Sequence, residues 1–235
     1  MVAAVADQRH ILASIILGLL ATKATAQVQC INPVDSHGER ERIVQGDYSA
    51  TVRWRQVALS RNTIGYGSAE QRAYELTIDH GKVHMVRPAK DGGFEVRHDP
   101  APDGSAVMLQ LATPSRWQAA GSLDAISSFD DLSFVFDEMQ EDLGCGDDAV
   151  LPFRIEGHIQ EATWSLDTRP KNHVGHAKAQ RATIVGIYSR QNKKRLFMVP
   201  GYNLHAHIVL HGNGLAGHLR NLTLDEGAQL YLPGQ

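Results

Sequence analysis

Alternating apolar and polar residues predict a chain built mainly of short β-strands. Beyond a polar stretch at 27–50, period-two segments follow one another, with Gly, Pro and Asp clusters between them. AYELTID and KVHMV flank His80 and Gly81 and predict a hairpin, and ATIVGIYS and RLFMV predict a second one around RQNKK. DTRPKNHVGHAKAQ is expected to be a polar loop. Further strands are predicted at TVRWRQVAL, GFEVRH, AVMLQLA, FRIEGHI, EATWSL, HAHIVL, GHLRNLTL and AQLYL.

One segment, SSFDDLSFVFDEMQEDLG, has the pattern of an amphipathic helix. Ser127 or Ser128 supplies an N-cap, Asp130 and Asp131 favour the first turn, and Gly144 ends the helix. Its apolar residues recur at helical spacing: Leu132, Val135, Phe136, Met139 and Leu143. The predicted fold class is therefore α+β, mostly antiparallel or mixed β-sheets with one or two helices, in sheet-rich halves at about 50–145 and 146–235.

The first 26 residues have the pattern of a secretory signal peptide. Arg9 precedes the apolar run Ile11–Ala21, which is shorter than the roughly 20 residues that span a bilayer. An A-x-A pattern ends at Ala26, so cleavage before Gln27 is expected. The mature domain is then 27–235, secreted or periplasmic, with no membrane segment after signal cleavage. The alternative is a buried N-terminal helix.

Composition and net charge limit the classes of binding partner that are expected. Hydrophobic residues make up 43% of the chain and charged residues 21%, as in an ordinary globular protein. A net charge of −3 offers no surface for a polyanion, so nucleic acid is not an expected partner. Export makes a disulfide between Cys30 and Cys145 plausible, although sequence does not reveal its geometry.

Candidate chemistry is concentrated at 199–222, which holds four of the chain's 12 histidines. His205 and His207 share one face of a strand, and the glycines of GNGLAG permit a reversal that brings His218 beside them. Three imidazoles with open positions are typical of a catalytic Zn²⁺ site, although other divalent transition metals also accept them. His211 is a rival ligand about 13 Å from His207 along a straight strand. The alternative to a metal site is that these histidines are solvent-exposed residues of a strand.

Four segments resemble one known family. PGYNLHAH with LAGH has an H-x-H-x10-H spacing, and TIVGIYSRQNKKRLFMVPG leads into it. RIEGHIQEATWSLDTRP and IGYGSAEQRAYELTIDHGKVH lie further upstream. Together they span about 65–232 and resemble the α-acetolactate decarboxylases, which bind zinc through three histidines.

The resemblance implies roles for particular residues. His205, His207 and His218 would be the metal ligands, Glu75 the active-site glutamate, and Arg169 the catalytic arginine. Ser68 stands where the family usually has threonine. The implied reaction converts 2-acetolactate, a 2-hydroxy-3-oxo acid, to (R)-acetoin. The resemblance also implies a homodimer.

Elementary chemistry is consistent with these roles. A divalent metal would stabilise the enediolate left when carbon dioxide departs. Arg169 would orient the carboxylate or help in protonation, and Glu75 would shuttle the hydroxyl proton. Ser68 would hydrogen-bond the substrate or support a ligand.

Some positions depart from the family pattern. Tyr74 replaces a glycine beside Glu75 and is expected to narrow the pocket, and Ala69 and Glu70 replace an F-x pair. The family has a second glutamate, which comes from a C-terminal extension. The only glutamate late in this sequence is Glu226, and no sequence pattern indicates that it takes that place. These departures keep open an exported metal-binding protein of the same fold without decarboxylase activity. A cupin-type oxygenase or isomerase ranks last, because no glutamate closely follows H-x-H.

Overall fold

The computed structural model describes residues 28–235, so the predicted signal peptide lies outside the described residues. Two β-sheets and two helices make up this part of the chain, and all strand pairings between the named strands are antiparallel. The predicted α+β class with mostly antiparallel sheets is thereby confirmed. No helix among the described residues is long and apolar enough to cross a membrane.

The first sheet has seven strands and takes up the chain before residue 113. Its path is β1-β7-β3-β4-β5-β6, and β2 pairs with β7. The strands are β1 (Val34–His37), β2 (Val52–Arg53), β3 (Ile64–Ala69), β4 (Glu75–Asp79), β5 (Lys82–Pro88), β6 (Phe94–His98) and β7 (Ser105–Ala112). The segment also contains α1 (Arg40–Val44) and 3-10 turns at Trp54–Gln56 and Glu70–Arg72.

The second sheet has six strands, in the order β10-β11-β12-β9-β13-β8, and a β9–β10 pairing closes four of them into a ring. The strands are β8 (Trp117–Ser122), β9 (Leu151–Leu166), β10 (His173–Tyr188), β11 (Leu204–Leu210), β12 (Ala216–Leu224) and β13 (Gln229–Pro233). Because β8 pairs with β13, the chain changes sheets between Ala112 and Trp117, ahead of the boundary expected near 145.

The predicted helix is present as α2 (Phe129–Asp142). Its N-cap is Ser128, whose hydroxyl accepts a hydrogen bond from the Asp131 backbone N–H at 3.1 Å. Gly144 follows the helix with φ +66°, a left-handed conformation that suits glycine. Phe136 packs against Phe153 of β9, with ring centroids 4.2 Å apart, and thereby docks α2 on the second sheet.

Two secondary-structure predictions in the second half were wrong. FRIEGHI and EATWSL form one strand, β9, which pairs with β10 along its length, so most of the predicted loop DTRPKNHVGHAKAQ belongs to β10. RLFMV is not a strand, because β10 pairs with β11 instead and residues 189–203 form turns and a loop. Leu196 and Met198 of this loop are still buried, because they pack against Tyr66 and neighbouring residues of both sheets.

Candidate metal centre and active-site cavity

The three clustered histidines meet on adjacent strands of the second sheet. His205 and His207 lie on β11, and β12 runs antiparallel to it with His218 directly opposite His207. On its other side β12 packs closely on β9 at Gly217, where a Cβ would stand 2.7 Å from the Ser165 carbonyl oxygen. The reversal expected from GNGLAG therefore brings His218 to the pair.

All three imidazoles are removed from solvent. His207 is 0% exposed, His205 4% and His218 8%. Burial lowers the pKa of His205 and His207 well below the ordinary histidine value, and it also lowers that of His218. The neutral imidazole, which is the form that binds metals, is therefore favoured.

Each ring has a partner at Nδ1 that leaves Nε2 free. His205 Nδ1 donates to the Phe197 carbonyl at 2.7 Å, and His207 Nδ1 lies 2.8 Å from the Thr77 hydroxyl. His218 Nδ1 lies 3.5 Å from Asp167 Oδ2. Each partner can accept a proton from Nδ1, so the Nε2 lone pair remains available as a ligand.

The Nε2 atoms fit a metal ion. All three are buried and have no hydrogen-bond partner. One potential ligand nitrogen from each ring lies within 4.8 Å of the others. Three buried, unsatisfied acceptors this close together would be costly unless a shared cation satisfies them. The donor set, three imidazole nitrogens, suits zinc, copper, iron or nickel.

The first sheet covers the histidines from the other side. The Tyr66 ring of β3 stacks on His205, with centroids 4.0 Å apart, and its hydroxyl donates to the Leu196 carbonyl at 2.7 Å. Thr77, which contacts His207, lies on β4. The site is therefore formed between the two sheets.

Glu75 of β4 places its carboxylate beside His207. Its Oε1 lies 3.7 Å from His207 Nε2, and its Oε2 accepts a hydrogen bond from the Asp167 backbone N–H at 2.9 Å. Burial and, to a smaller extent, the negative charge of Asp167 raise the pKa of Glu75 to about 8. A carboxyl with a pKa in this range can both accept and donate a proton near neutral pH.

Asp167 connects several parts of the site. Its Oδ2 accepts a hydrogen bond from Arg220 Nη2 at 2.7 Å, and its Oδ1 accepts one from the Ser165 hydroxyl at 3.1 Å. Burial raises the pKa of Asp167, but the interactions with His218 and Arg220 outweigh this effect and hold it below the ordinary value. Asp167 is therefore an anionic support for His218.

A cavity of about 280 Å³ opens beside Glu75, His205 and His218. Ser68 also lines it, and the Ser68 hydroxyl donates to the Tyr74 carbonyl at 3.4 Å. One part of the lining is cationic: Arg40, Arg72 and Arg220. Another part is apolar: Ile43, Val44, Val107, Met108, Phe197, Met198, Val199 and Pro200. The cavity thus suits a small acid with an apolar portion.

Other residues singled out in the sequence lie elsewhere. Arg169 is exposed, its guanidinium lies 4.9 Å from the centre of the Tyr48 ring, and it is not among the residues that line the cavity. Tyr74 does not narrow the cavity, because its side chain faces away and its hydroxyl donates to Glu95 Oε1 at 2.6 Å. His211 Nε2 lies 2.9 Å from the Thr183 hydroxyl, apart from the three clustered histidines.

Sequence reasoning missed several members of the site. Period-two alternation places Thr77 on the same face of β4 as Glu75, and this signal was available. Asp167 is the first residue of DTRP, but no local sequence pattern indicates that its carboxylate would lie beside His218. The pattern of RLFMV predicts a strand, so it did not indicate that the Phe197 carbonyl would accept a hydrogen bond from His205.

The fold is that of the acetolactate decarboxylases. Acetolactate decarboxylase from Bacillus subtilis subspecies spizizenii matches with a TM-score of 0.66 and 15% identity over 86% of each chain. α-Acetolactate decarboxylase from Bacillus subtilis strain 168 gives the same TM-score and identity over 86% of this chain and 85% of its own.

A third solved structure agrees with these two. It is a Staphylococcus aureus protein of unknown function, described as similar to α-acetolactate decarboxylase. It matches with a TM-score of 0.66 and 14% identity over 86% of this chain and 85% of its own. No protein-family model and no curated sequence matches the chain. The shared property at these identities is the fold.

Proposed function

We propose that the protein is a metal-dependent decarboxylase that converts 2-acetolactate to (R)-acetoin. The observation that carries the proposal is the convergence of three buried, unsatisfied imidazole Nε2 atoms beside a buried glutamate in a cavity. The fold shared with acetolactate decarboxylases supports it. A closed structural metal site would need a fourth protein ligand, and no such fourth residue joins the group among the described residues.

His205, His207 and His218 would hold the ion, for which we propose Zn²⁺. A bound divalent cation supplies Lewis-acid stabilisation of the negative charge that develops on substrate oxygens as carbon dioxide leaves. Asp167, Thr77 and the Phe197 carbonyl orient the three rings through Nδ1. The ligands are therefore held in position before substrate binds.

Glu75 would move the proton. The Asp167 backbone N–H holds Oε2, so Oε1 is the atom directed toward the metal ligands. We propose that Oε1 takes the proton of the substrate's hydroxyl group. After the bond to the carboxylate carbon breaks and carbon dioxide leaves, Glu75 returns that proton to the carbon that carried the carboxylate. A proton from solvent then restores the hydroxyl group. Ser68 would hydrogen-bond the substrate from the cavity wall.

Export and a homodimer complete the proposal. The structure joins Cys30 to Cys145 in a disulfide, and such bonds persist in oxidising compartments. This pairing supports a secreted or periplasmic location, in line with the signal peptide expected at 1–26. The homodimer is proposed from the resemblance alone.

The test is acetoin release from racemic 2-acetolactate by the purified protein, with bound metal quantified on the same sample. We expect turnover in proportion to bound Zn²⁺, loss of turnover after chelation, and consumption of about half the racemate. Chiral chromatography of the product should show a single acetoin enantiomer. Bound metal without acetoin would reject the decarboxylase and leave a metal-binding protein of this fold.

A further inference from the structure

Arg72 is one of two arginines in the cavity wall that have no anionic partner among residues 28–235, and the other, Arg40, donates to a main-chain carbonyl. Arg220 is bound to Asp167 and Ser165, and Arg40 Nη1 donates to the Met198 carbonyl at 3.3 Å. Arg72 also lines the cavity, yet among residues 28–235 no carboxylate lies within salt-bridge distance of its guanidinium. A partly buried guanidinium beside a ligand cavity is suited to binding an anion.

The position of Arg72 relative to Glu75 agrees with this role. Arg72 comes three residues before Glu75, and both side chains line the same cavity. Arg220 lines this cavity too, but its guanidinium is already bound to the Asp167 carboxylate. An anion held by Arg72 would therefore lie close to the proposed proton-transfer group.

The backbone at Arg72 is strained and is held by its neighbours. Gln71 and Arg72 have φ values of 58° and 55°, in the left-handed region that non-glycine residues avoid. The Gln71 N–H donates to the Tyr48 carbonyl at 2.9 Å, and the Arg72 carbonyl accepts from the Arg169 N–H at 2.9 Å. Strained backbone persists only where surrounding contacts hold it in place, and such backbone is concentrated at ligand sites.

Arg169 supports this turn from outside the cavity. The Arg169 and Arg72 guanidinium carbons lie 4.9 and 5.6 Å from the centre of the Tyr48 ring, so both side chains pack on one tyrosine. Only Arg72 also lines the cavity. The Arg169 backbone N–H and side chain thus hold the segment that presents Arg72.

We propose that Arg72, and not Arg169, binds the carboxylate of the acid that occupies the cavity. The assignment rests on the proposed function, which requires a carboxylate substrate. Because the carboxylate loses its charge as carbon dioxide forms, Arg72 stabilises the bound substrate more than the transition state. Replacing Arg72 should therefore raise KM for 2-acetolactate more than it lowers kcat.

The deciding experiment measures binding without turnover. The probe is 2,3-dihydroxy-2-methylbutanoate, which lacks the keto group needed for decarboxylation, and its neutral counterpart is the corresponding amide. Isothermal titration calorimetry on the Zn²⁺-loaded full chain would compare both ligands in wild type, R72M, R72K, R169M and R55M. Arg55 is an exposed arginine away from the cavity and provides the matched control.

We expect R72M to weaken acid binding by about 10- to 100-fold, the usual effect of losing a charged hydrogen bond. R72K should recover part of this loss, R169M should lose less than R72M, and R55M should match wild type. Amide binding should change little in R72M. Thermal melting of each variant checks that it is folded. If R72M does not fold, the R72K variant still tests the assignment.

Four results would overturn the assignment. One is acid binding by R72M at the wild-type level, and another is a larger loss in R169M than in R72M. The third is an equal loss for acid and amide in R72M, and the fourth is no preference for the acid over the amide in wild type. Failure of the proposed function looks different, because wild type would then bind the acid through Arg72 and release no acetoin.

Discussion

The backbone N–H of Asp167 donates a hydrogen bond to Glu75 Oε2 at 2.9 Å across the interface between the two sheets. The same residue places its carboxylate 3.5 Å from His218 Nδ1. One residue at the end of β9 thus positions both the proposed proton-transfer group and a proposed metal ligand.

The first prediction concerns metal binding. H207A removes a fully buried imidazole and should abolish stoichiometric metal binding, since two remaining nitrogens form a weak site. Metal content after dialysis against Zn²⁺, measured by mass spectrometry, checks it. H211A is the matched control and should retain one equivalent. Stoichiometric metal in H207A would reject the ligand set.

Glu75 provides a prediction on turnover. E75Q keeps the shape of the side chain but cannot exchange a proton, so turnover should fall by about 10²- to 10⁴-fold while metal content is retained. Acetoin production at saturating 2-acetolactate measures this. E95Q is a control, because Glu95 contacts Tyr74 and Arg87 outside the cavity. Near-normal turnover in E75Q would remove Glu75 from the mechanism.

Asp167 should act on the metal through His218. D167N retains the backbone N–H that binds Glu75 but removes the charge beside His218, and metal affinity should fall by about 10- to 100-fold. Competition with a fluorescent zinc chelator measures the affinity. D225N tests specificity, because Asp225 makes a comparable contact to His158 on the surface. Equal losses in both variants would contradict the predicted role.

The disulfide should stabilise the fold. Cys30 and Cys145 are 115 residues apart, and closing a loop of this length restricts the unfolded chain by about 4–5 kcal/mol in the chain-entropy treatment. The double variant C30S/C145S should unfold at lower denaturant concentration than the oxidised protein. Reductant should destabilise wild type by a similar amount and leave the double variant unchanged. A reductant-insensitive wild type would contradict the pairing.

Acid should weaken the docking of α2. Burial raises the pKa of Asp137, but hydrogen bonds from Tyr188, Asn203 and Arg190 outweigh it and lower the pKa below the ordinary value. A carboxyl with a depressed folded-state pKa contributes stability above its unfolded pKa of about 3.9 and loses it as pH falls toward the folded value.

D137N should therefore be less stable than wild type by about 1 kcal/mol at pH 7, with the difference shrinking below about pH 4. Urea unfolding at several pH values measures the free energies. D142N, at the exposed end of α2, is the matched control for a change of charge on this helix. A D137N effect that stays constant down to pH 3 would show that the charge is not responsible.

Local pattern in the sequence determined the strands, the cap and end of α2, and the convergence of the histidines. Alternation puts His205 and His207 on one face, and the glycine turn returns His218 beside them within 11 residues, so all the information is local. Alternation failed for RLFMV, because Leu196 and Met198 are buried by packing between sheets and not by strand pairing.

Only the tertiary structure decided which groups surround the histidines. Thr77 meets His207 across 130 residues of sequence, and Asp167 meets Glu75 across 92. The same packing leaves Arg169 outside the cavity and brings Arg72 to its wall. Strand periodicity predicts on which face of its sheet a side chain lies. The residues that this side chain then contacts depend on how the two sheets pack against each other. That packing is set by buried contacts between segments far apart in the chain.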